Sequence, residues 1–284
     1  MGGFNRRGIL RAALGFGLAA GPWRLLAAAR EEGGTMTEDI ASRAGIQLYT
    51  LRAAMKKDFE GTLTRLAEMG YRNLEFAGYY DWEPAAVREL LDQLGLKAPA
   101  AHVPLGSMEK ELDSVIDAAG IIGHEFIVVP WLSPWDRRNL RKYEQHAGAF
   151  NEFGRRCRDA GLRFAYHNHD FEFQPMGGKV PYDLLLEQTD PELVSMELDL
   201  YWAHREGVSA LDYFERFPGR FSLCHVKDAD AAGEIANPGG GVIDFPAVLP
   251  RGIEQGMAYL FVEHDKPDDA FLTAKEGLAY LRSL

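Results

Sequence analysis

Four polar residues follow four successive apolar runs of the chain, and their types are those of metal ligands. Each lies at, or a few residues beyond, the end of a short apolar run that predicts a buried β-strand. Three carboxylates and one imidazole suit a divalent cation that prefers oxygen and that polarises a substrate carbonyl. The sequence therefore predicts a metal-dependent enzyme whose metal ligands are Glu172, Asp199, His225 and Glu263.

Three of these residues also have a plainer interpretation. Asp199 is a suitable N-cap for the segment that follows it. His225 could be a hydrogen-bonded core histidine, and Glu263 could pair weakly with Lys266 at the surface. Lys227, directly after the His225 strand, favours a polar pocket and therefore the metal interpretation.

The elements that must position these residues alternate between strand and helix patterns. Predicted strands cover 44–50, 72–77, 97–102, 125–130, 162–168, 193–199, 221–226 and 257–263. Predicted helices cover 58–69, 84–95, 109–122, 137–160, 182–188, 210–217, 245–255 and 270–284. Eight strand–helix units predict a single-domain α/β protein with a closed (β/α)8 barrel. The alternative is an open doubly wound sheet, but no glycine-rich phosphate turn follows the first strand.

Active sites of such barrels lie at the carboxyl ends of the strands. Polar and aromatic residues at these ends cost free energy unless water, metal or substrate satisfies them, so they predict a ligand pocket. The candidate substrate-binding residues are Gln47, Tyr49, Glu75, His102, Trp131, His167, His169, Trp202 and Lys227. The glycine run 239–241 lacks a lysine at the spacing of a phosphate-binding motif and predicts a flexible active-site loop instead.

The N-terminal segment resembles a twin-arginine export signal. Arg6 and Arg7 precede an apolar, glycine- and alanine-rich stretch, and Ala27–Ala29 form a small-residue cleavage pattern. The apolar stretch is too short for a permanent membrane anchor. We expect a signal peptide over 1–29, a linker over 30–43, a barrel over 44–284, and a periplasmic or otherwise exported protein.

Charge and cysteine content narrow the class of partner. The formal net charge of −11 disfavours nucleic acid and anionic lipid, and it favours a small sugar-like substrate. The 2 cysteines are too few for a disulfide framework in a chain of 284 residues.

Five motifs, in order along the chain, resemble the sugar phosphate isomerase/epimerase group of the xylose isomerase-like TIM barrel superfamily. They are GIQLYTLR (45–52), HNHDFEF (167–173), ELDLYW (197–202), HVKD (225–228) and GVIDFP (241–246). The resemblance implies one divalent ion (Mn, Mg, Co or Zn) held by Glu, Asp, His and Glu at the ends of strands five to eight. It also leaves a homo-oligomer possible.

The fifth-strand ligand departs from the family pattern. In ketose 3-epimerase relatives this glutamate lies within the strand, where the present chain has Tyr166 or His167. Glu172 supplies the carboxylate only if the loop after the strand folds back over the barrel mouth. Otherwise His167 or His169 takes the position, or neither does.

The resemblance and the metal chemistry together predict a sugar isomerase or epimerase. The ion would stabilise the enediolate left by proton removal next to a carbonyl, with Glu172 and Glu263 as catalytic base and acid. Two alternatives stay open at this level. A lyase or dehydratase of 3-keto-glycosides or keto-polyols needs the same groups, and a non-catalytic sugar-binding barrel needs only the aromatic pocket.

Overall fold

The short apolar runs of the chain form parallel strands that close into a barrel. The computed structural model describes residues 35–284. Its barrel strands are β1 (Ala44–Gln47), β2 (Asn73–Phe76), β3 (Lys97–His102), β4 (Phe126–Val129), β5 (Arg163–His167), β6 (Val194–Asp199), β7 (Phe221–Val226) and β10 (Tyr259–Val262). The ring order β1-β10-β7-β6-β5-β4-β3-β2 confirms the predicted (β/α)8 barrel. A small antiparallel hairpin, β8 (Asp228–Ala229) with β9 (Ile235–Ala236), follows β7 and was not predicted.

Helices follow the strands as the alternating pattern predicts. They are α1 (Met36–Arg43), α2 (Arg52–Lys57), α3 (Phe59–Met69), α4 (Pro84–Leu94), α5 (Leu105–Lys110), α6 (Leu112–Ile122), α7 (Leu140–Asp159), α8 (Pro181–Gln188), α9 (Leu200–Arg205), α10 (Ala210–Arg216), α11 (Phe245–Glu254) and α12 (Ala270–Leu281). Within residues 35–284, no helix has the length and apolar character needed to cross a bilayer.

Several predicted boundaries differ from the structure, and three of the differences have a local cause. The first strand ends at Gln47, whose side chain accepts the Tyr49 N–H and starts a 3₁₀ turn. The helix expected over 109–122 is two helices, because Glu111 adopts a non-helical backbone between α5 and α6. Residues 36–43, expected as linker, form α1, and Thr35 and Glu38 close a capping box at its start. The predicted export signal and residues 30–34 lie outside the described residues.

The alternation of side chains along each strand places the polar residues at the barrel mouth. An apolar cluster separate from the main core consists of Ala100, Phe126, Val128, Ala165, Leu223 and Phe261. Side chains two positions apart on a strand point the same way, so His102, His167, His225 and Glu263 each follow one of these apolar residues on the same side. Gly45 leaves room for this layer, since a Cβ there would lie 2.7 Å from the Phe261 ring.

Candidate metal and substrate site

Four side chains from strands β5, β6, β7 and the end of β10 meet at the mouth of the barrel. The ligand atoms of His167, Asp199, His225 and Glu263 all lie within 4.8 Å of one another. His225 Nδ1 is 2.8 Å from Glu263 Oε2 and 3.5 Å from Asp199 Oδ2. His167 Nε2 is 3.4 Å from Asp199 Oδ2. The structure therefore brings together three of the four predicted ligands, with a histidine in the fourth place.

Asp199 combines the two roles that its sequence position left open. Its Oδ1 accepts the Trp202 N–H at 3.0 Å and caps α9. Its backbone N–H donates to Asn168 Oδ1 at 3.1 Å. The cap fixes the carboxylate, so that Oδ2 is left facing His167 and His225.

His167 is oriented by a backbone carbonyl. Its Nδ1 lies 3.0 Å from the Pro130 carbonyl oxygen, to which only a protonated nitrogen can donate. A neutral imidazole with its proton on Nδ1 presents the Nε2 lone pair, and Nε2 is the atom that faces Asp199. His167 therefore has the geometry of a metal ligand.

Glu172 does not join the cluster, which corrects its predicted place among the ligands. Its carboxylate accepts hydrogen bonds from the Tyr166 hydroxyl and, at 2.8 Å, from the His169 N–H. The side chain is fully buried and does not line the cavity at the barrel mouth. Burial raises the pKa of Glu172 to about 8, although the hydrogen bonds from Tyr166 and His169 oppose the shift. We therefore replace Glu172 by His167 in the proposed ligand set.

Lys227 lies beside the ligand cluster as a buried cation. Its Nζ is 2.7 Å from Glu263, 2.9 Å from Asp199 and 3.2 Å from Asp265. Burial lowers the pKa of Lys227, but Asp199 and Glu263 raise it more strongly, to well above its usual range. Burial raises the pKa values of Asp199 and Glu263, but the Lys227 ammonium and the neighbouring histidines together outweigh burial and hold both well below their usual range. The site thus contains an ammonium group among ionised carboxylates.

A second group of titratable side chains lies on the other side of the His225 ring. His225 Nε2 is 2.8 Å from Glu75 and 3.3 Å from Glu197, and His102 Nε2 is 2.8 Å from Glu197. Burial, together with Glu197, raises the pKa of Glu75 well above its usual range. Burial also raises the pKa of Glu197, but His225 and His102 outweigh it and lower that pKa below its usual range. Sequence reasoning missed Glu197, although it occurs in the ELDLYW motif two positions before Asp199.

A cavity of about 830 Å³ opens above the cluster, which is large enough for a sugar-sized ligand or a larger one. Two polar atoms at its wall, His169 Nδ1 and Trp202 Nε1, are buried without a partner in residues 35–284. Burial, followed by the charges of His167 and Lys227, lowers the pKa of His169 well below its usual range. Unsatisfied buried polar atoms of this kind call for a partner from outside the described chain.

Most of the predicted substrate-binding residues line this cavity. Gln47 is instead buried as the cap of the 3₁₀ turn, and Glu75 lies below the cavity beside His225. Three cationic residues at the cavity wall, Arg52, Arg205 and Lys266, were not predicted. The predicted residues that do line it are Tyr49, His102, Trp131, His167, His169, Trp202 and Lys227.

The glycine run 239–241 is held by one carboxylate. Asp228 accepts hydrogen bonds from the backbone N–H groups of Ala229, Gly239, Gly241 and Ile243. A Cβ on Gly241 would lie 2.2 Å from the Ala229 carbonyl oxygen, so only glycine fits there. The segment predicted as a flexible loop is thus anchored next to the β8–β9 hairpin, whose Ile235 lines the cavity.

The ligand cluster fits a divalent cation. His225 Nδ1 and Glu263 Oε2 are buried and close, yet neither completes a hydrogen bond of acceptable geometry within the described chain. Two imidazoles and two carboxylates are a donor set that Mn²⁺, Co²⁺ or Zn²⁺ accepts. His167, Asp199, His225 and Glu263 would hold such an ion, with the cavity beside it open to substrate.

Comparison with known proteins identifies the family of the barrel. Residues 63–284 match the family described as Xylose isomerase-like TIM barrel. The chain belongs to this family. Two curated proteins are similar to it, and both are named inosose dehydratase. The one from Geobacillus kaustophilus (strain HTA426) is 22% identical over 72% of this chain and 79% of its own length, and the one from Lacticaseibacillus casei is 25% identical over 73% and 82%.

A solved structure with a different functional name has the same fold as this chain. A sugar phosphate isomerase/epimerase from Parabacteroides distasonis ATCC 8503 superposes with a TM-score of 0.72. It is 27% identical, and the match covers 85% of this chain and 94% of that chain. Proteins similar to this chain therefore have both dehydratase and isomerase/epimerase names.

Proposed function

We propose that this protein is a divalent-metal-dependent lyase that removes a proton next to the carbonyl of a keto-polyol or keto-sugar and then expels a β-substituent. The observation that carries the proposal is the cluster of four ligand atoms within 4.8 Å, located at the strand ends beside the cavity. A divalent ion bound there would act as a Lewis acid toward the substrate carbonyl and stabilise the enediolate. The inosose dehydratase names of the two curated relatives support the same class of reaction.

The position of Glu172 favours elimination over epimerisation. The epimerase hypothesis used Glu172 and Glu263 as paired acid and base on opposite faces of the substrate. Glu172 is instead bound by Tyr166 and the His169 N–H and does not line the cavity. The cavity wall offers two unlike groups, an imidazole and an ammonium, and such a pair suits a proton acceptor and a donor to a leaving oxygen.

His169 and Lys227 are the residues that would perform these two roles. The His169 ring and Lys227 Nζ both lie 5.4 Å from the ring of Trp202, so both groups lie against the same aromatic side chain of the cavity wall. His169 Nδ1 has no partner in the described chain and would accept the α-proton. Lys227 would give its proton to the departing hydroxyl or alkoxide, so that water or an alcohol leaves and the keto group is retained as part of an enone.

Isomerisation or epimerisation is the second candidate. It is favoured by the Parabacteroides distasonis structure, which shares 27% identity and the isomerase/epimerase name. Both candidates begin with the same proton abstraction, and they differ in whether the β-substituent leaves.

Mass spectrometry in D₂O with manganese-loaded protein tests both candidates on keto-inositols, 3-keto-glycosides and free ketoses. Loss of water or an aglycone supports the lyase. Deuterium uptake with retention of the substrate skeleton supports the isomerase or epimerase. Neither elimination nor exchange in any of these substrates would contradict both and favour a sugar-binding barrel.

Variants at the two cavity residues sharpen the test. We expect His169→Gln and Lys227→Met each to lower kcat by about 10²–10⁴-fold, the contribution typical of a general acid or base. Arg251→Gln is the control, because Arg251 pairs with Glu254 on an exposed helix face away from the cavity. Normal turnover in both His169→Gln and Lys227→Met would contradict their roles.

A further inference from the structure

The two nitrogens of the His225 ring face two different sets of carboxylates. Nδ1 is 2.8 Å from Glu263 on the side of the cavity. Nε2 is 2.8 Å from Glu75 and 3.3 Å from Glu197, on the side away from the other ligands. All of these side chains are buried. The ring therefore bridges the ligand cluster and a second pair of carboxylates.

A histidine that binds a metal ion does so through an unprotonated nitrogen. A neutral imidazole carries one proton, so binding through Nδ1 requires that the proton stay on Nε2. Buried N–H groups need an acceptor, and Glu75 Oε2 is in hydrogen-bond geometry with His225 Nε2. Glu75 thus favours the tautomer of His225 that leaves the Nδ1 lone pair toward Asp199 and Glu263.

Glu197 supports this arrangement from the neighbouring strand. Its Oε2 lies 2.8 Å from His102 Nε2 and 3.3 Å from His225 Nε2. The Oε1 atoms of Glu75 and Glu197 are buried without a hydrogen bond in residues 35–284. Glu75 reaches His225 from the far side of the ring of strands, while Glu197 reaches it from the adjacent β6, so the two carboxylates hold the imidazole from two directions.

We propose that Glu75 and Glu197 are positioning residues of the metal site, which hold the Nε2–H of His225 and so direct Nδ1 to the ion. The proposal rests on the ion site of the proposed function. It assigns no chemistry to either glutamate, since neither lines the cavity.

Cobalt binding measures this positioning without any substrate. Co²⁺ is titrated into ion-free protein against a competing chelator, and the absorption of the bound ion is followed. We expect Glu75→Leu to weaken Co²⁺ binding by about 10–100-fold, as for other partners of metal-bound histidines. Glu75→Gln, which keeps an acceptor oxygen, should restore most of the lost affinity. Glu197→Gln should fall between the two, because it retains an acceptor at the longer contact.

The matched control is Glu172→Gln, the same substitution at an equally buried carboxylate outside the cluster. It should bind Co²⁺ as the wild type does. A loss in Glu172→Gln as large as that in Glu75→Leu would show a general effect of removing buried charge and would overturn the proposal. Wild-type affinity in Glu75→Leu would overturn it as well.

The tautomer and the stoichiometry give independent readouts. In zinc-loaded protein labelled with ¹⁵N-histidine, we expect the His225 proton on Nε2, and a proton on Nδ1 would overturn the proposal. Two ions per chain would also overturn it, because the second ion would take Nε2. Wild-type protein that binds one ion but turns over no keto-sugar would contradict the proposed function and leave the positioning role supported by these measurements.

Discussion

The buried carboxyl group of Glu172 makes stability depend on pH in a direction that the structure fixes. Burial raises its pKa from the ordinary 4.5 to about 8. Between these values the unfolded chain is ionised at this position while the folded protein retains the proton. Its contribution to stability is therefore full below about pH 4.5 and is lost as pH rises through about 8.

The size of the stability change follows from the interval between the two pKa values of Glu172. Each pH unit between the two pKa values costs about 1.4 kcal/mol, so the whole interval corresponds to about 5 kcal/mol. Over an accessible range of about pH 5 to 9, roughly 4 kcal/mol of this should be measurable. That is a large part of the usual 5–15 kcal/mol stability of a folded domain.

Glu172→Gln removes the titratable group, so the difference in unfolding free energy between the wild type and this variant reports the titration of Glu172. The amide oxygen of glutamine can accept the His169 N–H while its amide nitrogen donates to the Tyr166 hydroxyl oxygen, so the variant should match the protonated wild type in stability near pH 5. The wild type should lose roughly 4 kcal/mol relative to the variant as pH rises, so that the variant becomes the more stable protein at high pH. Urea unfolding of both proteins from pH 5 to 9 measures the difference. A difference that stays constant within about 1 kcal/mol over this range would refute the reasoning.

Two further predictions concern the ligand set and the anchored loop. His167→Ala should lower the divalent ion content found by elemental analysis at least about 10-fold, because it removes a proposed ligand. Glu172→Gln should retain the ion. The reverse pattern would restore the original assignment of Glu172 as a ligand. Gly241→Ala would place its Cβ 2.2 Å from the Ala229 carbonyl oxygen and 2.4 Å from Asp228 Oδ1, so the loop should be displaced. We expect the melting temperature to fall by several degrees and proteolysis within 229–243 to become faster. Unchanged melting and cleavage in Gly241→Ala would show that the Asp228 anchor is dispensable.

The barrel was predictable because its signals are local. Short apolar runs separated by helix patterns predict parallel strands, and Pro84 and Gly95 mark the start and end of α4 as expected. The clustering of Asp199, His225 and Glu263 was predictable for the same reason, since the carboxyl ends of barrel strands converge at one mouth. Each of these inferences needs only the periodicity of a strand or helix and the rule that strand ends meet.

The position of the Glu172 side chain could not be predicted from such local signals. Its sequence position, five residues after the end of β5, allows the side chain to reach the mouth or to turn away from it. The choice depends on the path of the loop, in which the Tyr166 hydroxyl and the His169 N–H bind the carboxylate. The preference of His167 for the ligand position likewise depends on the Pro130 carbonyl, which is 37 residues away.

By itself, the sequence determined the eight-stranded barrel and the mouth at which its polar residues gather, and it predicted three residues of the candidate ligand cluster. Only the tertiary structure places His167 in that cluster instead of Glu172 and brings Glu75 to His225 from 150 residues away. Strand periodicity reports which side of a strand a residue occupies, and it contains no information on which side chains touch across a closed barrel. Those contacts are set by strand register and loop path, which form only when distant parts of the chain pack together.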